Sequence, residues 1–430
     1  MKSLLLITHE YPIKRGDASF IESEIPYLAK LFNKVYVITL AKNIPYQNDE
    51  LSNTPKNVIV IFPKHNLKHN NHRKFDKVAS YFSLLFTPVF ILEVLSIITV
   101  WGISIKHLRQ AVKFYKRAVS CQASIKQILE HDKNIGLIYT YWYTSETLSA
   151  LLLKKNYNNI PCVTRTHGYD LYKFRNKLGY QPYKTWMDKK INKVFFISQH
   201  GYNYYLNEFA KSETKKYCLS RLGIINNYFA ELDKQEKNNN TLVLCSCSYI
   251  VPVKRLHHII KALGQINEYK IHWIHIGDGP EKNSIESLAD EILGNKNNIT
   301  YEFKGFMNND HVMQFYNANY FDCFISASES EGLPVSMMEA ISFQIPVIAT
   351  DVGGVSELVS KETGILLSSE GNISEISKAI VDFYNLSSDN KNSMRKAARL
   401  FWESNFNAEV NHAKFANELI KLANNNNQSK

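Results

Sequence analysis

A chain of 430 residues, 45% hydrophobic and 21% charged, is long enough for two or three domains, and its composition excludes a disordered polymer. Its net charge of +11 is unevenly spread: residues 1–230 carry 33 Lys and Arg against 15 Asp and Glu, a surplus of 18, and residues 231–430 carry 18 against 25, a deficit of 7. A basic half joined to an acidic half implies two domains with different partners. With no helix-turn-helix, RRM or zinc-finger signature beside the charge, that asymmetry argues against nucleic acid and for an anionic membrane surface or a phosphate-bearing substrate.

In chain order, MKSLLLITHEYP turns polar after five apolar residues, too short for a secretory signal. Strands are predicted at 4–8, 35–40, 58–62, 137–142, 162–166 and 194–198. Residues 81–105, YFSLLFTPVFILEVLSIITVWGISI, could span a bilayer by length, but Pro88 and Glu93 lie inside them. A carboxylate at mid-membrane costs on the order of 3 kcal/mol. The basic, aromatic stretch KHLRQAVKFYKR follows at 106–117. Two readings stand side by side: an apolar, basic-flanked surface that docks on the inner leaflet, or two core helices whose cations face water. The polar run KQEKNNN at 234–240, where the charge changes sign, marks the interdomain linker. Further strands are predicted at 242–248, 271–277, 299–305, 323–328, 346–350 and 364–367, and a helix at 406–423. Apolar runs separated by helices are strands buried on both faces of a parallel sheet, so two doubly wound α/β domains are expected. Their bounds are 1–230 and 241–405, followed by a helix at 406–424 and a frayed tail at 425–430. The six scattered cysteines lack metal-ligand spacing and read as buried, reduced thiols, which points to the cytoplasm.

The chemistry concentrates at 323–340. A strand, CFISAS, leads into the loop ESEGL, and Pro334 then opens a helix. Ligands of doubly wound folds bind beyond the carboxyl ends of the strands, and the free amides of such a loop and helix start suit a phosphate. Glu331 stands before the helix and Glu339 inside it. Two carboxylates flanking a phosphate site suit a molecule with hydroxyls at both ends and an anionic middle, which is the layout of a nucleotide sugar.

The run ISASESEGLPVSMMEAISFQIPVIATDVGGVSELV at 325–359 resembles family 4 of the retaining glycosyltransferases, with two glutamates separated by seven residues, then a PVIAT strand and a GG turn before Glu357. The resemblance implies a GT-B fold: two Rossmann-like domains facing each other across a cleft, the C-terminal helix returning to the first. It implies that Glu331 contacts the donor sugar and Glu339 the ribose. SYIVPVKRLHHIIKAL at 248–263 resembles the segment ending in a phosphate-binding lysine, here Lys254, with Arg255 beside it. The amides of Gly332, Leu333 and Val335 would cradle the phosphates. The loop after Gly305 would lie near the nucleobase. EYPIKRGDASFIESEIPYLAK at 10–30 resembles the first loop and helix of the family, with Gly16 approaching donor or acceptor. TRTHGYDLY at 164–172 resembles the segment near the reacting sugar, with His167 hydrogen-bonding that sugar; Asp170 either joins it or caps the next helix. Three departures stand out: Tyr249 replaces a usual arginine, Pro334 replaces an amide donor in the phosphate loop, and Gln344 replaces a usual glycine, which is tolerable if its φ is negative.

The expected activity is metal-independent transfer of a hexosyl unit, with anomeric retention, from a UDP- or GDP-linked sugar to a glycan or a lipid-pyrophosphate-linked acceptor in surface polysaccharide or lipopolysaccharide assembly. No acidic triplet of the DxD type stands in a plausible loop, and no cofactor is implied. The protein would work on the inner face of the cell membrane. Two alternatives stay open: a catalytically silent partner of the same fold, and a sugar-nucleotide epimerase, which would need no acceptor.

Overall fold

Runs such as Leu4-Leu5-Leu6-Ile7 and Val347-Ile348-Ala349 have no polar side on which to meet water. In the computed structural model, which describes residues 1–13, 18–40, 54–63, 87–157, 160–210, 215–228 and 240–425, they are fully buried strands of two parallel sheets. The chain divides into two compact units: residues 1–220 with 412–430, and residues 221–411.

The first sheet holds β1 (Ser3–Thr8), β2 (Val35–Thr39), β3 (Val58–Ile61), β4 (Ile135–Thr140), β5 (Cys162–Thr166), β6 (Lys193–Phe196) and β7 (Tyr217–Leu219), in the order β3-β2-β1-β4-β5-β6-β7. The second holds β8 (Thr241–Cys247), β9 (Lys270–Ile276), β10 (Ile299–Phe303), β11 (Cys323–Ser326), β12 (Val347–Thr350) and β13 (Gly364–Leu367), in the order β10-β9-β8-β11-β12-β13. Each of the twelve predicted strands forms. The unpredicted one, β7, is a three-residue edge strand of which only Tyr217 is buried, and the apolar run Tyr217-Cys218-Leu219 is too short to signal a strand. Chain direction across the sheet reverses between β1 and β4, and again between β8 and β11. Loops at such a switch point diverge to either side and leave room for a ligand.

The segment predicted as a membrane-docking or core region forms two helices, Pro88–Trp101 and Ile105–His131, parted at Gly102 with φ of 66°. The longer helix buries Ala111, Tyr115, Ala118, Cys121 and Ile125 at three- and four-residue spacing and turns its cations outward. The shorter one is inverted. Glu93 is buried, accepting hydrogen bonds from the Tyr180 hydroxyl and the Tyr183 amide, while Ile91, Leu92, Leu95 and Ile98 are exposed. Among the described residues, no helix is long and apolar enough to cross a membrane.

The C-terminal helix, Ala408–Asn425, crosses the boundary between the units, and its residues from 412 onward belong to the first. There the Phe415 ring lies 3.8 Å from the guanidinium of fully buried Arg165, which is ion-paired with buried Glu24. Cation and ring thus cover one another where water is excluded. The unit boundary at 220 differs from the expected one at 230. Residues 221–228 pack with the second unit because Ile224 bridges to Asn407 and the Asn226 amide donates to Ser342. The linker expected at 234–240 lies outside the described residues, except for Asn240. All six thiols are free, but Cys218 and Cys247 are only half-buried, against the expectation that all six are buried.

Candidate active site

In the second unit, the two strands at the switch point feed two facing loops. β8 leads through a short 3-10 turn, Pro252–Lys254, into the helix Leu256–Gly264. β11 leads through residues 327–334 into the helix Val335–Ser342. The loops are tied together where the strands end: the Glu329 amide donates to the Val253 carbonyl at 2.8 Å, and Lys254 Nζ stands 2.6 Å from Glu331 Oε1. The structure therefore brings two of the expected catalytic residues, 77 positions apart in sequence, into one ion pair.

Arg255, next in line, turns elsewhere. Its backbone is left-handed at φ 47°, and its guanidinium donates to the Glu370 carbonyl at 2.9 Å and lies 3.4 Å from the Glu329 carboxylate. Of the two adjacent cations expected to face one diphosphate, Lys254 pairs with Glu331, whereas Arg255 fastens two loops. Tyr249, where arginine was expected, is exposed.

Gly332 sits on a glycine pair from the next loop. The Gly354 amide donates to the Gly332 carbonyl at 2.8 Å, and a Cβ on Gly353 would stand 1.9 Å from the Glu331 carbonyl oxygen. Only glycine allows that approach, and Gly353 is also at φ 61°. Pro334 is the residue before the helix rather than its first residue, with extended ψ of 117°, so Val335 opens the helix. The amide that proline lacks is therefore not one of the helix's own, and the first-turn amides begin at Val335. Leu333 is buried beneath the loop.

Glu339 lies one turn into this helix, buried, and accepts a hydrogen bond from the Asn309 side chain. Burial pushes its carboxyl up to about 7, with the Asn309 bond opposing. Cys247 and Tyr316 face it, and burial holds both above their ordinary values, so neither supplies a charge at neutral pH. Gln344 ends the segment at φ 62°. The sequence allowed glutamine there only at negative φ; the structure corrects that, since the tight return from helix to β12 needs a left-handed residue.

In the first unit, the ends of β1, β4 and β5 assemble a stack of rings. His9 lies 5.6 Å from Trp142 in parallel, and His167 lies 4.4 Å from Trp142 and 4.7 Å from Tyr141. His167 is buried, and neither ring nitrogen has a hydrogen-bond partner among the described residues. Burial, helped by Arg165, holds it well below the usual histidine range, so the ring is neutral. Asp170 accepts the His167 amide at 2.6 Å and the Tyr143 amide at 2.7 Å, and so caps the short helix Gly168–Leu171. It is a positioning group for His167. Gly16 lies outside the described residues.

Sequence reasoning missed Asn309, the contact of Gly353 and Gly354 with the phosphate loop, and Trp142. The glycine pair was visible, but its partner 22 residues earlier was not. Asn309 and Trp142 carry no local signal.

The family model described as "Glycosyl transferases group 1" matches residues 228–401. An uncharacterized glycosyltransferase of Methanocaldococcus jannaschii is 26% identical over 262 residues, 60% of this chain and 68% of that protein. The putative colanic acid biosynthesis glycosyltransferase WcaL of Escherichia coli is 26% identical over 216 residues, 48% of this chain and 52% of its own length, so the match spans about half of that relative. Among solved structures, that of the lipopolysaccharide outer core galactosyltransferase WaaB superposes with a TM-score of 0.69 at 13% identity, covering 97% of this chain and 99% of that one. At that identity the likeness concerns fold, and the fold is GT-B.

Proposed function

We infer, for a chain whose residues 228–401 match the family model of the group 1 glycosyl transferases, the transfer of a hexosyl unit from a nucleotide diphosphate sugar to an acceptor hydroxyl with retention at the anomeric carbon. The observation that carries this reading is the Lys254–Glu331 pair at 2.6 Å, set beside free amides at the switch point of the second sheet. A lysine held at that point can exchange its carboxylate for a diphosphate, because the phosphate oxygens compete for the same charge-assisted hydrogen bonds. Lys254 then neutralises the charge that grows on the phosphate as the sugar–oxygen bond breaks, and the amides of Gly332, Leu333 and Val335 share that work. Glu331, relieved of the lysine, accepts from sugar hydroxyls. Glu339 accepts from the ribose diol, with Asn309 fixing its carboxylate. Arg255 holds the 329 and 370 loops rather than the diphosphate. His167, neutral and without a hydrogen-bond partner among the described residues, offers either ring nitrogen to a sugar hydroxyl. The reaction needs no metal in this scheme.

The acceptor is a glycan or a lipid-pyrophosphate-linked sugar in surface polysaccharide assembly. The support is the family, the colanic acid relative and the basic first unit. The inverted helix Pro88–Trp101 supports a working position on an anionic membrane face inside the cell: its one acid points inward, and Ile91, Leu92, Leu95 and Ile98 point outward.

A nucleotide-release assay over a panel of UDP- and GDP-sugars, with and without acceptor, tests the reading. Lys254→Ala and Glu331→Ala each lower turnover about 10²- to 10³-fold, while chelator leaves wild type unchanged. Equal, slow release by wild type and both variants sinks the transferase. Conversion of donor without acceptor favours an epimerase instead.

A further inference from the structure

The helix Ile105–His131 carries six Lys and Arg against one Glu. Arg109, Lys113 and Arg117 follow each other at four-residue spacing, so they form one row, and all three are exposed. Like charges at that spacing destabilise a helix by roughly 0.2–0.5 kcal/mol per pair. None of the three has an ion-pair partner among the described residues. A row that weakens its own helix and is offset by no acid calls for an anion from outside.

The row forms one wall of a cavity of about 840 Å³ within the first unit. The opposite wall brings Arg175 and Lys177 from a separate loop. Glu146 is the only acid among the described lining residues, and it is buried and paired with His9 at 3.5 Å. Arg175 ties the cavity to the ring stack: a Cβ on Gly168 would stand 2.9 Å from its Nη1, so the guanidinium lies against the residue that follows His167. In the other direction the same helix face becomes apolar. Leu108 and Val112 line a second cavity, of about 680 Å³, along the cationic row, and the turn before it exposes Ile105 at 63% and Ile103 at 86%. Cations beside His167 and aliphatic side chains one or two turns away match a phosphate group carrying a hydrocarbon chain. Five cations exceed what one phosphate monoester needs and suit a pyrophosphate.

We propose that Arg109, Lys113 and Arg117, with Arg175 and Lys177 opposite, bind the pyrophosphate of a prenyl-type lipid-linked acceptor, whose hydrocarbon chain leaves across Ile105 and Ile103. The proposal rests on the transferase reading for its meaning and assigns that reaction's acceptor subsite.

The test is calorimetric binding of farnesyl pyrophosphate and inorganic pyrophosphate to the full chain carrying Lys254→Ala, which removes the nucleotide-phosphate site from the measurement. Farnesyl pyrophosphate binds about tenfold tighter than inorganic pyrophosphate, and adding Arg109→Gln, Lys113→Gln and Arg117→Gln weakens it about a hundredfold. Equal binding of the two probes overturns the proposal in favour of a free-anion site. Unchanged affinity in the triply substituted chain also overturns it. If that chain has lost only its attachment to vesicles of phosphatidylcholine and phosphatidylglycerol, the row serves the membrane surface instead. UDP binding by the chain with Lys254 intact is read separately. Its absence would sink the transferase reading while the pyrophosphate result still decided the cavity, and the triple substitution leaves it unchanged.

Discussion

At the scale of single residues, two side chains are held where their chemistry is least comfortable. Gln344 adopts φ 62°, a region that costs a residue with a Cβ roughly 1–2 kcal/mol. Gln344→Gly removes that cost but loosens the unfolded chain, so a net gain of about 0.5–1 kcal/mol is expected. Thermal unfolding checks it, and an unchanged or lowered midpoint contradicts the strain argument. Glu339 is raised by burial to about 7 from an ordinary value of 4.5. The folded chain therefore binds this proton more tightly than the unfolded chain. The stability it lends is complete below pH 4.5 and is lost as pH rises to about 7. If Glu339 holds the ribose as proposed, affinity for nucleotide runs the other way, because the ionised carboxylate is the better acceptor for ribose hydroxyls, and UDP binding is expected to strengthen as pH passes about 7. Glu339→Gln flattens both trends; a UDP titration with the same pH slope in the variant would remove Glu339 from the ribose.

At the scale of elements, the helix Pro88–Trp101 separates the two readings that its sequence left open. Its cationic neighbour packs one face into the core and turns its cations to water, yet the helix itself offers Leu92 at 55% and Leu95 at 56% exposure while hiding Glu93. Leu92→Asn with Leu95→Asn is expected to shift stability by no more than about 0.5 kcal/mol, since neither side chain is packed. The same pair should abolish flotation with anionic vesicles at low salt. Retained flotation would remove this helix from any membrane contact. The helix Val335–Ser342 is only eight residues long, and its start is fixed by Gly332 resting on Gly353 and Gly354 more than by Pro334.

At the scale of the whole molecule, the last helix completes the first unit. Phe415, Leu419 and Ala423 are buried in a cluster with Leu4, Tyr139 and Phe195, and Phe415 covers Arg165. Arg165 and Glu24 are both removed from water, so their pairing is tolerable only while that cover persists. Phe415→Ala is expected to destabilise the first unit by about 3–5 kcal/mol, lost aromatic burial and wetting of the ion pair adding together. Chemical denaturation followed at probes in each unit should show one transition moving and the other fixed. Equal shifts in both would mean that the helix supports the second unit as well.

Much of this was legible in the chain itself. Strand positions followed from apolar runs, because a strand buried on both faces tolerates little else. Glu331, Glu339 and Lys254 followed from segments that resemble a known family. Folding alone decided the rest, for a physical reason: sequence is read locally, while a site is made by distance in space. That Lys254 meets Glu331 depends on the order β8-β11 in the sheet, and that Asn309 meets Glu339 depends on how two helices pack. That Glu93 faces inward depends on Tyr180 and Tyr183, some 90 residues away. The left-handed turn at Gln344 came from the tight closure between helix and strand, which no propensity for glutamine foretells.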